Sequence, residues 1–251
     1  SVEKAVNLNV DGIEIDVFKS KTGELIVYHD PSLKRLSNST ALIEDISLDS
    51  IKKVKLKGGL MIPILEEVID VIPENIFLNI ELKGKNTAYA TNKIISEYLT
   101  RYNWPPSKFI ISSFNWNELK NFRSINADVP IAILVDSLYK IDSAIRLSKE
   151  LNAISLNPNN KFLTNEIVKK IHSNDIKVYP YTINAPENIK RMKFSLKKKN
   201  EILFIILKMT LVKEYLNFNK NKKLLLRLMQ RATLMNSSKI GMSSKNINNS
   251  P

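Results

Sequence analysis

Short apolar runs alternate with helical patterns over the first 190 residues, and that alternation limits the fold more than any other feature of the chain. The runs are Asp11–Phe18, Leu25–His29, Phe77–Leu82, Phe109–Phe114, Ile131–Val135, Ala153–Leu156 and Val178–Ile183. Several are rich in Ile and Val and are bounded by polar or proline-containing stretches, which is how strands read in a sequence. Between them, "TAYATNKIISEYLTRY" begins a helical pattern at Thr87 and "SAIRLSKEL" another at Ser143. "TNEIVKKIHSN" offers Thr164 as an N-cap, with Asn165 and Glu166 in the first turn. Strand–helix alternation predicts βαβ units and a parallel sheet. Leu25–His29 is the exception. It follows the first strand through the short glycine-containing link "KSKTGE" and is expected to form an antiparallel hairpin arm.

A chain of 251 residues can build one large domain with a real core. It contains no cysteine, which excludes disulfides, zinc–thiolate centres and a thiol nucleophile, and fits a reducing, cytoplasmic setting. No stretch approaches the ~20 apolar residues of a membrane-spanning helix. The opening "SVEKAVNLNV" lacks the charged start and long apolar core of a signal peptide. The formal net charge of +13 is concentrated at one end. From Arg191 onward, 14 Lys and Arg stand against two acids, Glu201 and Glu214, while residues 1–190 hold 24 basic against 23 acidic groups. Two regions are therefore expected: a barrel-forming domain over 1–190 and a basic, low-complexity tail over 191–251. The tail has one glycine, Gly241, and no aspartate, and its end, Asn236–Pro251, reads as disordered.

The chemistry is concentrated in two strands. In "GIEIDVFK" Glu14 and Asp16 share one face and Ile13, Ile15 and Val17 the other, because strand side chains alternate. By itself that pattern describes a strand with one wet face. "FLNIELKG", Phe77–Gly84, adds a second strand with Glu81 and Lys83 on a common face. Three carboxylates from two strands make a hard oxygen cage suited to Mg²⁺ or Ca²⁺ rather than zinc. Lys83 is a cation placed for an anionic substrate, and His29 can exchange a proton near neutral pH. Together they suit phosphoryl chemistry, in which charge stabilisation and positioning dominate. The bland readings are favoured elsewhere. His172 is read as a group at a helix C-terminus, Phe114, Trp116 and Tyr181 as core or rim aromatics, and Lys57–Gly59 as a plain loop.

These residues resemble the glycerophosphodiester phosphodiesterases, through "GIEIDVFKSKTGELIVYHDPSLKR", "IPILEEVID" from Ile62, "NIELKG" from Asn79, "IISSF" from Ile110 and "YTIN" from Tyr181. The resemblance covers about Val2 to Ile189. It implies a TIM-type (β/α) barrel in which Glu14, Asp16 and Glu81 ligate a divalent cation. It further implies that His29 is one of two catalytic histidines and that Lys83 contacts the phosphate. The implied reaction turns a small glycerophosphodiester into glycerol 3-phosphate and an alcohol. Two motifs of the resemblance are missing. No His-Arg pair, expected at the end of a first strand, occurs in the 251 residues, and no Gly-Val-Asp-Gly-Ile-Ile-Thr-Asp-like strand follows "YTIN". The expected fold is therefore an incomplete barrel without its first and eighth strands, with impaired activity. The abrupt turn to Lys, Asn, Ile and Leu near Met192 is expected to reflect a shifted reading frame. The competing readings are a basic extension that binds RNA or an anionic membrane surface, and a lyase of the sphingomyelinase D kind. The second is weakened by the absence of cysteines. No specific nucleic acid partner is expected.

Overall fold

The strands of the computed structural model, which describes Val2–Asn7, residues 10–183 and Leu207–Lys208, fall close to the apolar runs of the sequence. In chain order they are β1 Gly12–Lys19, β2 Leu25–Val27, β3 Phe77–Leu82, β4 Phe109–Ser113, β5 Ile131–Val135, β6 Ser155–Pro158, β7 Lys177–Val178 and β8 Leu207–Lys208. The helices are α1 Val2–Asn7, α2 Leu48–Lys53, α3 Leu65–Ile69, α4 Thr87–Tyr102, α5 Trp116–Ile125, α6 Ile141–Glu150 and α7 Asn165–His172. The 190/191 boundary and the expectations for 191–206 and Asn236–Pro251 lie outside the described residues.

The sheet runs β2-β1-β3-β4-β5-β6-β7, with every neighbour from β1 to β7 parallel. β2 is antiparallel to β1, with Val17 opposite Val27, so the hairpin expected from "KSKTGE" forms. β1 is covered along its outer edge by β2 at Val17–Lys19 and by β8 at Ile13–Glu14. Among the described residues the sheet does not close between β7 and that edge. It is an open portion of a TIM-type α/β barrel, with the C-terminal ends of the parallel strands gathered at one mouth.

Local chemistry explains most boundaries. α4 matches the predicted segment, and it is bracketed by Asn86 and Asn103, both left-handed at φ 55° and 53°, a conformation asparagine tolerates better than most residues. Thr164 caps α7 as expected, its Oγ1 accepting from the Ile167 N–H. β7 is shorter than the predicted Val178–Ile183, although its pairing with β6 runs on past its end: the Tyr179 and Tyr181 N–H groups donate to the Leu156 and Pro158 carbonyls, and Tyr181 bridges Asn159. α5 is not foreseen in the sequence reading. Asn115 caps it, accepting from the Asn117 N–H, and it buries Leu119 and Phe122.

The faces of β1 and β3 that carry Ile13, Ile15, Val17 and Leu78, Ile80, Leu82 are buried throughout. Each such side chain contributes on the order of 1.5–3 kcal/mol of apolar burial. At the opposite end of the sheet from the mouth, Lys108 is buried beneath the Trp104 ring, 4.7 Å from its centroid, and its ammonium donates to the carbonyls of Pro73 and Ile76. Burial pushes its pKa down to about 8.

Candidate metal centre

β1 and β3 pair in parallel with Glu14 opposite Asn79 and Asp16 opposite Glu81. Laterally paired residues point to the same side of a sheet, and residues two apart on a strand do too. The register therefore brings Glu14, Asp16 and Glu81 onto one face. One carboxylate oxygen from each lies within 4.8 Å of the others. All three are buried, with residue exposures of 7%, 6% and 2%, so the wet-strand reading of Glu14 and Asp16 fails. Three buried carboxylates this close repel one another and need positive charge. The donor set is all oxygen and anionic, which fits a hard divalent cation.

Lys83 lies beside the trio, its ammonium 3.3 Å from Asp16 Oδ1 and donating to the His29 carbonyl at 2.7 Å. The Lys83 and Gly84 N–H groups both donate to the Val17 carbonyl, which ties this loop to β1. Gly84 is required for that approach. A Cβ there would stand 3.0 Å from both Phe18 Cα and Glu44 Oε1.

His29 follows β2, and the Tyr28 N–H donates to the Asp16 carbonyl, so the hairpin arm delivers His29 next to the acidic strand. Its Nδ1 is 2.6 Å from Asp30 Oδ1, and Arg35 Nε donates to Asp30 Oδ2. Burial raises the Asp30 pKa, but the hydrogen bonds from Arg35 and His29 outweigh it and hold the carboxyl below its ordinary range. An ionised carboxylate only accepts, so the His29 Nδ1 carries the proton and Nε2 is left to take or give one.

The 251 residues match the glycerophosphoryl diester phosphodiesterase family over residues 1–197. This chain belongs to that family. A Bacillus subtilis protein named YqiK is 31% identical over 76% of this chain and 82% of its own length. A glycerophosphodiester phosphodiesterase of Caldanaerobacter subterraneus is 30% identical over 76% of this chain and 81% of its own. Among solved structures, a phosphodiesterase of Oleispira antarctica, in complex with the product sn-glycerol-3-phosphate, superposes with a TM-score of 0.68 at 22% identity, covering 77% of this chain and 81% of that one. That likeness supports the barrel fold. Hydrolysis of glycerophosphodiesters is the activity to which family membership points.

Glu14, Asp16 and Glu81 thus converge, with Lys83 beside Asp16 and the His29 carbonyl on the Lys83 ammonium. The three aromatics read as core or rim side chains make structural contacts. The Trp116 indole donates to the Leu134 carbonyl, and the Tyr181 hydroxyl donates to the Val135 carbonyl while its ring meets Phe114 edge-on at 5.5 Å. His172 ends α7, and Lys57–Gly59 is a turn with Gly58 and Gly59 at positive φ.

Sequence reading missed the groups that hold the Lys83 loop. The Lys85 N–H donates to Glu44 Oε1, and the Asn86, Thr87 and Ala88 N–H groups and the Thr87 hydroxyl all donate to the carboxylate of Glu118. The α4 N-terminus is thus filled by a protein carboxylate. Glu118 comes from α5, and nothing in its sequence context marks it. Arg35 was legible only as part of "HDPSLKR".

Proposed function

We propose that this barrel hydrolyses small glycerophosphodiesters to glycerol 3-phosphate and an alcohol, using Mg²⁺ or Ca²⁺ held by Glu14, Asp16 and Glu81. The observation that carries the reading is the convergence of three buried carboxylates within 4.8 Å beside Lys83. When bound, a divalent cation supplies Lewis-acid polarisation and charge neutralisation at the phosphodiester. Lys83, anchored between Asp16 and the His29 carbonyl, presents a positive charge to the phosphate oxygens. His29, oriented through Nδ1 by Asp30, holds Nε2 for proton exchange with substrate or water. The resemblance assigns proton transfer to two histidines, and the 251 residues offer no His-Arg pair to supply the second. Loss of one general acid or base costs ~10²–10⁴-fold in rate, so slow turnover is expected from this chain.

Calorimetric titration of Mg²⁺ and Ca²⁺ into the full chain tests the cation site directly. Wild type should take up one cation, and Glu81→Gln should lose most of that affinity. Glycerophosphocholine hydrolysis should be measurable, slow, and abolished by the same substitution. Cation-independent hydrolysis, or cation uptake that Glu81→Gln leaves intact, would reject the assignment.

A further inference from the structure

The face that carries the three carboxylates also carries Asn79 and Ser112. Asn79 stands opposite Glu14 and two residues before Glu81 on β3, and Ser112 of β4 stands opposite Glu81. All five side chains therefore point to the same side of the sheet. Asn79 is 3% exposed and Ser112 fully buried, and among the described residues neither Asn79 Oδ1 nor Ser112 Oγ has a hydrogen-bond partner. The adjacent serine shows the contrast. Ser113, on the other side of β4, donates to the Leu82 carbonyl at 2.6 Å and accepts from the Asn115 N–H.

A buried polar atom left unpaired costs about 1–3 kcal/mol, and two of them in neighbouring strands call for a shared explanation. The surrounding acids cannot supply it for Asn79 Oδ1, because ionised carboxylates accept hydrogen bonds and donate none. Asn79 Oδ1 needs a donor, and the Ser112 hydroxyl, which can both donate and accept, can share the same one. Water in the hydration shell of a divalent cation is such a donor, since Mg²⁺ in particular keeps several waters when bound by few protein ligands.

We propose that Asn79 and Ser112 form the floor of the cation site, with Asn79 Oδ1 and Ser112 Oγ accepting hydrogen bonds from water in the cation's hydration shell. They are positioning residues that tune the affinity set by Glu14, Asp16 and Glu81, and the inference rests on the reading of that trio as the cation's ligands. Outer partners of this kind change metal affinity by about 10–100-fold when removed.

The test is Mg²⁺ and Ca²⁺ titration of the full chain as wild type, Asn79→Leu and Ser112→Ala, together with thermal melts of each after treatment with a chelator. Both variants should bind cations on the order of 10–100-fold more weakly. Their cation-free melting temperatures should hold or rise, because each substitution removes an unpaired buried polar atom. A purely structural role gives the reverse pattern, with lowered cation-free stability and unchanged affinity, and that result overturns the proposal. If Asn79→Leu does not fold, Ser112→Ala decides alone. Wild type that takes up no cation defeats the assignment of the carboxylate trio and this inference with it. Normal wild-type uptake with unaltered variants defeats only the inference.

Discussion

The His29 ring is held by two neighbours. Asp30 fixes the proton on Nδ1, and Arg35 holds Asp30. The Asp30 carboxyl has a folded pKa below its ordinary value, so the unfolded chain binds that proton more readily. Its stabilising contribution is complete above the ordinary carboxylate range and is lost as pH falls through the lowered folded value. The difference in melting temperature between wild type and Asp30→Asn should be present at neutral pH and close below about pH 4. A difference that stays constant through the acid range would show that Asp30 acts by packing alone. Glu14, Asp16 and Glu81 are different in kind. Their burial together makes sense only with a counter-charge, which is why cation uptake and its loss in Glu81→Gln are the decisive residue-level measurements.

α4 carries the loop that presents Lys83, and its N-terminus is held from another helix. Helix N-termini leave unpaired N–H groups that attract anions. Here the Glu118 carboxylate satisfies Asn86, Thr87 and Ala88 together. Those N–H groups are therefore already taken, and in the proposed reaction the substrate anion is left to the cation and Lys83. Glu118→Ala leaves several buried donors without an acceptor and should destabilise the chain by about 2–4 kcal/mol, read as a lowered urea midpoint with an unchanged slope. Glu118→Gln keeps one acceptor oxygen and should lose roughly half as much. Equal stability in Glu118→Ala would mean that the α4 N-terminus finds other partners.

Across the whole chain, the excess of basic charge is concentrated at one end. The barrel residues are nearly neutral in sum, whereas 14 Lys and Arg against two acids follow from Arg191. A catalytic chain with an unselected basic tail and a basic binding module make different predictions. Nonspecific attraction to RNA or anionic vesicles through the tail should fall steeply with salt. Fluorescence anisotropy with a labelled single-stranded RNA is expected to show binding at low ionic strength that vanishes near physiological salt. Binding that persists there, and that competes with neither Mg²⁺ nor Ca²⁺, would favour the binding-module reading. Leu207–Lys208, which pair with β1 at Ile13 and Glu14, are the part of this region seen to join the sheet.

The sequence by itself determined the parallel α/β architecture, the β1–β2 hairpin, α4 from Thr87 to Tyr102, and the three carboxylates that come together. These are local signals. Strand alternation has a period of two, caps lie within a turn of their helices, and the family motifs are contiguous. α5 was missed although its capping Asn115 and buried Leu119 and Phe122 were there to be read. Tertiary structure alone decided whether the carboxylates face water or one another, because that depends on the register that places Asp16 against Glu81 and on the packing that buries both. It also decided that Glu118 of α5 closes the end of α4, and that Asn79 and Ser112 lie in the same layers as the acids. Side-chain direction along one strand is written in a few consecutive residues. Which residue of a distant strand or helix it meets is fixed only when the sheet pairs and the helices pack against it.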